Sequence, residues 1–172
     1  MKLEVKEMIV TALFAALTAV GALIAIPIGT VPITLQVLFT LVAGALLGAR
    51  LGALSQILYL LIGAIGLPVY AGGAAGFGSL VGPTGGFLLS FPMAAYLVGR
   101  LVEEEQEIEF NTILGIMFLG LILIYILGVA GLSVATQMGI KKAIMVGVIP
   151  FVIPDVIKVV AGAYLSVRLK NM

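Results

Sequence analysis

The sequence has neither cysteine nor histidine among its 172 residues. The absence of cysteine excludes disulfides and thiolate catalysis, and the absence of histidine excludes histidine-ligated metals and imidazole acid–base chemistry. A catalytic pair of carboxylates within an apolar run is excluded too, because only Asp155 stands in one. We therefore expect no catalytic residue, no metal ion and no bound cofactor, and we expect a protein that is not an enzyme.

Charge is also scarce. Only 10% of the residues are charged, whereas soluble domains carry about 25%. The net charge of +1 lacks the excess of basic residues that is typical of nucleic-acid-binding proteins. Hydrophobic residues make up 62% of the chain, and the mean hydropathy is +1.30. These values predict a multi-pass integral membrane protein, with residues 1–172 forming a single transmembrane domain.

Long apolar runs divide the sequence. Runs of about 17–25 residues suit helices that cross a bilayer, whereas barrel strands would give short alternating segments. The runs cover about 8–26, 33–48, 51–65, 87–101, 112–134 and 154–169. Segment 139–148 begins with lysines and is too short to span, so we interpret it as an interfacial helix. The prediction is an all-α membrane protein with six transmembrane helices.

The second and third runs are joined so tightly that they must be antiparallel neighbours. Small residues recur across this junction at Gly44, Gly48 and Gly52. Glycines at this spacing let helices approach closely. We assign them to packing between the two neighbouring helices.

The distribution of basic residues predicts the orientation in the membrane. Short loops rich in lysine and arginine stay in the cytoplasm. With six crossings, one side collects Lys2, Lys6, Arg50, Arg100, Arg168 and Lys170, and the other collects Lys141 and Lys142. Both termini are therefore expected to be cytoplasmic, with the acidic segment 103–109 as a solvated loop on the same side.

A glycine-rich segment, 66–86, is then external and lies between helices 3 and 4. Its many glycines disfavour a continuous helix, yet it carries no charge. Irregular apolar backbone is tolerated at membrane depth only where protein covers it or where it lines a cavity. We expect this loop to form a lid or wall over the helices.

Asp155 and Lys158 are the charges that stand inside an apolar run. An isolated charge in hydrocarbon costs roughly 3 kcal/mol or more, so such residues usually mark functional sites. Their spacing places them on one helix face, and Pro154 suits a helix start, where the macrodipole favours an anion. They either hold a small polar ligand or form an ion pair that only neutralises itself.

Neutral polar groups stand at the external ends of other runs. Thr34 and Gln36 begin the second helix, and a buried glutamine needs a partner, which is either backbone or a ligand. Tyr59 and Tyr70 are either interfacial aromatics or ligand walls. Gln56, nearer the cytoplasmic half, is interpreted as structural.

The first run carries a stripe of small residues: Ala12, Ala15, Ala16, Ala19 and Ala22. Small residues four apart allow close approach of a second helix. That helix belongs either to this bundle or to another membrane protein, and the spacing permits both.

Several motifs together resemble one known family. They are Val31-Pro-Ile-Thr-Leu-Gln36, Tyr59-Leu-Leu-Ile-Gly63, Gly66-Leu-Pro-Val-Tyr70, Gly82-Pro-Thr-Gly-Gly86 and Pro154-Asp-Val-Ile-Lys158. In this order, over nearly the whole chain, they resemble the BioY family, the biotin-specific substrate-binding (S) components of energy-coupling factor (ECF) transporters.

This resemblance implies a six-helix S component in the cell membrane that binds biotin near its external face and delivers it for ATP-driven uptake. It implies a transmembrane coupling protein and two cytosolic ATPases as partners, with Ala12, Ala15, Ala16 and Ala19 docking on the coupling protein. The alternatives are an S component for another vitamin and a stand-alone secondary transporter. The latter usually shows an internal repeat, and we see none.

The resemblance also implies roles for the candidate residues. Biotin has a carboxylate, a ureido ring with N–H donors and a carbonyl, and an apolar thioether ring and chain. Asp155, Lys158, Thr34 and Gln36 offer polar partners. Gly76 and Gly78 would let the backbone approach, while Phe77, Tyr59 and Tyr70 would supply apolar walls.

Overall fold

A computed structural model describes residues 3–105 and 109–171 of the chain. Lys2 and the middle of the acidic segment, 106–108, lie outside the described residues. The elements in chain order are α1 Val5–Leu23, β1 Ala25–Ile26, β2 Ile33–Thr34, α2 Gln36–Ala64, α3 Gly78–Val81, α4 Gly85–Glu104, α5 Phe110–Thr136, α6 Ile140–Gly147 and α7 Val152–Lys170. Two short 3-10 turns, Ala71–Gly73 and Ile149–Phe151, complete the described structure.

The first helix ends earlier than its apolar run. A capping box between Glu4 and Glu7 starts α1, which ends at Leu23, although we expected a span to about residue 26. Pro27 cannot continue a helix, and the chain instead turns back so that β1 pairs antiparallel with β2. This small hairpin was not predicted, because two-residue strands are too short to show an alternating pattern.

Helix α2 reverses direction at Gly48. This glycine has φ +79° and ψ 178°, which no helix contains. The hydroxyl of Thr40 donates to Oε1 of Gln56 at 3.0 Å, and Gly52 lies against Gly44. The halves 36–47 and 49–64 therefore pack as an antiparallel hairpin, as predicted for the second and third runs, and Gly48 forms its turn rather than a contact between the two halves.

The tip of this hairpin packs directly on α4. Glu103 caps the second half by accepting a hydrogen bond from the backbone N–H of Ala49 at 2.9 Å. Gly99 lies against the backbone of Gly48 and Ala49, so that an added Cβ would overlap both. The close approach of the helices depends on this glycine.

We expect Gly99→Ala to lower the free energy of unfolding by about 1–3 kcal/mol, because the added methyl overpacks a backbone contact. Gly115 is the matched control, since it lies within α5 with open space around its Cα. Gly115→Ala should raise stability by up to about 1 kcal/mol through helix propensity. Thermal unfolding in detergent measures the stability of both variants. Equal effects would contradict the close contact of Gly99 with Gly48 and Ala49.

The glycine-rich segment is partly helical. It contains the 3-10 turn and α3, and α4 begins at Gly85, two residues before the expected start. Positive φ angles at Gly66, Gly72, Gly73 and Gly76 bend the chain between these turns, which supports the expectation that no continuous helix forms here. The segment lies at the same end of the structure as the β1–β2 hairpin and the start of α7.

Among the described residues, five helical stretches are long and apolar enough to cross a membrane: Val5–Leu23, Gln36–Ala64, Gly85–Glu104, Phe110–Thr136 and Ile140–Lys170. The short helix expected at 139–148 is present as α6, and α7 begins at Val152 rather than at Pro154. Proline is tolerated there because the first-turn N–H groups have no partner within the helix. The helices α2, α4 and α5 form the centre of the core.

A buried polar network joins α1 to the α2 hairpin. The amide of Gln56 accepts a hydrogen bond from Thr40 and donates to Thr18 at 3.2 Å and to Ser55 at 3.1 Å. All four side chains are fully buried. Because every polar atom of the glutamine amide has a partner, the network fixes the position of α1 on the bundle at little desolvation cost.

Candidate functional site

A cavity of about 240 Å³ lies at the end of the bundle that carries the glycine-rich segment. Its wall takes residues from every part of that end: Thr30, Val31, Pro32, Thr34, Gln36, Val37, Tyr70, Ala71, Ala74, Thr84, Phe87, Leu88, Phe91, Ile124, Tyr125, Phe151, Asp155 and Lys158. Thr30 and Ala74 are exposed and mark the rim, whereas Gln36 and Lys158 are buried. The wall is mostly apolar with a few polar groups, which is the usual composition of a small-molecule site.

The charged group of the wall is the pair Asp155 and Lys158 on α7. The ammonium of Lys158 donates to Oδ1 of Asp155 at 2.6 Å, with 8% and 3% of the two side chains exposed. The other carboxylate oxygen, Oδ2, accepts from the hydroxyl of Tyr125 at 2.8 Å. Asp155 lies in the first turn of α7, where the helix dipole favours an anion.

This arrangement can hold a polar ligand without a net buried charge. An ammonium has three N–H donors, and among the described residues Lys158 uses one of them on Asp155. A carboxylate offers about four lone-pair positions, of which Lys158 and Tyr125 occupy two. The pair therefore presents both donors and acceptors to the cavity, and both would be charge-assisted.

A neutral polar group lies on the α2 side of the cavity. Thr34 donates to Oε1 of Gln36 at 2.8 Å, and Nε2 of Gln36 donates to the hydroxyl of Tyr59 at 2.6 Å. The glutamine amide is thus clamped from both sides. Each end of an amide can make a second hydrogen bond, so Gln36 retains one donor and one acceptor for the cavity.

Tyr70 brings the glycine-rich segment into the wall. Its ring lies against Gly63, where any side chain would overlap it, and its hydroxyl donates to the carbonyl of Leu60 at 2.6 Å. It packs edge-on against Tyr59 with ring centroids 5.6 Å apart. Burial raises the pKa of Tyr70, so it remains a neutral hydrogen-bond donor.

The structure places some predicted ligand contacts outside the cavity. Tyr59 is fully buried behind Gln36 and supports that side chain rather than lining the wall. Phe77 is 67% exposed and does not line the cavity. Gly76 directs its N–H to the carbonyl of Gly63 at 2.8 Å, and Gly78 starts α3. The segment instead lines the cavity with Tyr70, Ala71, Ala74 and Thr84.

Sequence reasoning missed several residues of the wall. The aromatic side chains of Phe87, Phe91 and Phe151 form much of its apolar surface, but they stand in apolar runs where any phenylalanine is expected. Tyr125 could have been identified from the sequence, because it places a hydroxyl inside the longest apolar run. A buried hydroxyl there needs a partner.

The alanine stripe of α1 has two different environments. Ala15 and Ala22 are buried in the bundle, with 2% and 0% of their surface exposed. Ala12 and Ala16 are exposed, and Ala19 is half-buried. The stripe therefore serves packing on one side and leaves a shallow exposed face on the other.

Comparisons with known proteins agree with this architecture. A family model described as the BioY family matches residues 1–172. A probable biotin transporter BioY of Pyrococcus horikoshii is 40% identical over 169 residues, which cover 98% of this chain and 99% of the relative. The biotin transporter BioY of Thermotoga maritima is 42% identical over 167 residues and 97% of both chains.

A solved structure is also similar. It is the crystal structure of an S-component for biotin from an ECF-type ABC transporter, with 29% sequence identity and a TM-score of 0.90. The superposition covers 98% of this chain and 92% of that one. Because the family model spans the entire sequence and the relatives align over nearly their full lengths, the chain belongs to the BioY family.

Proposed function

We propose that this protein binds biotin in the cavity described above and acts as the substrate-binding component of an ECF-type transporter. The observation that carries this proposal is the buried pair of Asp155 and Lys158, held by the half-buried Tyr125, in the wall of a mostly apolar cavity. The relatives named as biotin transporters support the identity of the ligand. The protein is a transport component rather than an enzyme.

The chemistry of the wall suits biotin. The thioether ring and the aliphatic chain fit the apolar surface made by Phe87, Phe91 and Phe151. The polar ends of biotin need donors and acceptors on two sides, which the pair on α7 and the amide of Gln36 provide. Both groups are held by neighbouring side chains, so little entropy is lost when they bind a ligand.

We also propose that the chain crosses the membrane six times, with both termini in the cytoplasm of the cell. The reversal at Gly48 supports six crossings, because the two halves of α2 run in opposite directions. Arg50 at the hairpin turn and Arg100 near the end of α4 then lie on the cytoplasmic side. The cavity and the glycine-rich segment lie at the external end.

The proposed partners are a transmembrane coupling protein and two cytosolic ATPases. The sequence has no phosphate-binding loop, so ATP hydrolysis must come from another chain. The exposed face that contains Ala12 and Ala16 on α1 is the proposed contact with the coupling protein.

Calorimetry on the purified protein tests the ligand. We expect tight binding of biotin by this chain alone, without nucleotide, because all the wall residues belong to it. Thiamine and riboflavin, titrated under the same conditions, serve as controls and should give no binding heat. An absence of heat with biotin, together with binding of another vitamin, would reject the proposed ligand.

A further inference from the structure

Tyr125 links helices α5 and α7 at the charged pair in the cavity wall. It lies on α5, and its hydroxyl donates to Oδ2 of Asp155 on α7 at 2.8 Å. Lys158 donates to the other oxygen, Oδ1, at 2.6 Å. The carboxylate thus receives one donor from its own helix and one from a neighbouring helix.

The two contacts have different mechanical consequences. A carboxylate held through one oxygen can rotate about its terminal torsion, because that torsion has broad minima. A second contact on the other oxygen fixes the plane of the group. The ammonium of Lys158 is hydrogen-bonded to this carboxylate, so its position depends on how the carboxylate is oriented. Tyr125 therefore also fixes the direction in which the remaining N–H groups of Lys158 point.

We propose that Tyr125 is a positioning residue of the biotin site and acts through Asp155. This inference rests on the proposed function. Tyr125 keeps the carboxylate shared between two helices, so that the ammonium of Lys158 faces the cavity in the ligand-free protein. Without the hydroxyl, the carboxylate turns toward Lys158. The two charged groups then bond mainly to each other and are less available to a ligand. Preorganisation of this kind raises affinity because less ordering is left for the binding step.

The test is a double-mutant cycle on biotin affinity, measured by calorimetry with Tyr125→Phe and Asp155→Asn. Tyr125→Phe alone should weaken biotin binding roughly tenfold, because the binding step must then order the carboxylate and the ammonium, at about the cost of immobilising one side chain. In the D155N background it should cause no further loss, because the tyrosine has no carboxylate left to hold. If D155N does not fold, the D155N/K158M double, which removes both charges, supplies the background.

Equal losses in both backgrounds would overturn the proposal, because Tyr125 would then contact biotin directly or act through packing. An unchanged affinity of Y125F in the native background would overturn it as well. Tyr164→Phe is the control, since Tyr164 is 60% exposed on α7. It removes the same hydroxyl away from the cavity and should leave the affinity unchanged.

Infrared spectroscopy separates this proposal from the proposed function. Asp155 is the only aspartate in the sequence, so aspartate labelled at the side-chain carboxyl carbon and incorporated by cell-free synthesis isolates its carboxylate band. Y125F should shift this band in the ligand-free protein, and Y164F should not. If the wild-type protein fails to bind biotin, the proposed function fails, while the band still decides whether Tyr125 holds Asp155. An unshifted band overturns the positioning role.

Discussion

Replacing Lys158 by methionine is expected to weaken biotin binding by roughly ten- to a hundred-fold, the loss of a charge-assisted hydrogen bond of about 1.5–3 kcal/mol. Asp155→Asn should have a similar effect on affinity. Each single change also leaves one charge unpaired in a site where only a few per cent of the side chain is exposed. We therefore expect each to lower the free energy of unfolding by about 3–5 kcal/mol.

The double mutant distinguishes a ligand site from an ion pair that only neutralises itself. With both charges removed, no unpaired buried charge is left, so stability should return to near the wild-type value. Biotin affinity should stay low, because the groups that hold the ligand are gone. Calorimetry and thermal unfolding on the same proteins measure the two quantities, and a double mutant with normal affinity would contradict the site.

An exposed ion pair on α4 provides the matched control. Arg100 and Glu104 lie 3.0 Å apart with more than half of each side chain exposed. Such pairs contribute little to stability because solvent screens them. Arg100→Met with Glu104→Gln should therefore change neither the affinity for biotin nor the stability by a comparable amount.

The charged pair could be found from the sequence because its cost does not depend on the fold. A charge inside an apolar run is unfavourable in any arrangement of the helices, so Asp155 and Lys158 indicated a site before any contact was known. The same reasoning could not find the contact of Tyr125 with Asp155. The hydroxyl of Tyr125 indicates that a partner is needed but not which one, because Asp155 lies thirty residues away on another helix.

The glycine-rich segment shows the limit of local patterns. Its composition correctly indicated that no continuous helix forms. It could not indicate which residues face the cavity, because glycines with positive φ bend the chain at several points. The segment contributes Tyr70, Ala71, Ala74 and Thr84 to the wall, while Gly76 and Gly78, which the sequence suggested, lie outside it.

For a related reason, the sequence alone could not distinguish the buried from the exposed residues of the alanine stripe on α1. In water, the polar face of a helix marks its outer side. In a bilayer both sides are apolar, and the hydrophobic pattern does not distinguish them. Only the structure places Ala15 inside the bundle and Ala16, the next residue, on the exposed face. This division makes the docking role testable with two neighbouring substitutions.

Ala16→Trp is expected to abolish biotin uptake while leaving biotin binding intact. The exposed face around Ala16 also carries Leu13 and Val20, both about half exposed, so an indole there meets lipid in the isolated protein. It would, however, hold a partner helix away from the exposed methyl groups of Ala12 and Ala16. Ala16 is exposed, and the wall of the cavity takes its residues from segments other than α1, so the ligand site should not change.

Two controls accompany this mutant. Ala15→Trp places the same side chain in the packed interior, where overpacking costs about 1–3 kcal/mol or more, so stability, biotin binding and uptake should fall together. Leu119→Trp places it on the exposed surface of α5 and should leave all three unchanged, because Leu119 is already 50% exposed.

The decisive measurements are copurification with the coupling protein, biotin binding by calorimetry, and uptake in proteoliposomes that contain the ATPase subunits. If the exposed alanine face is the docking surface, A16W alone separates these quantities: it folds and binds biotin, yet neither copurifies with the coupling protein nor supports uptake. If A16W supports normal uptake, the coupling protein contacts another surface. If A16W loses biotin binding together with uptake, the face contributes to the bundle itself, and docking at Ala16 is rejected.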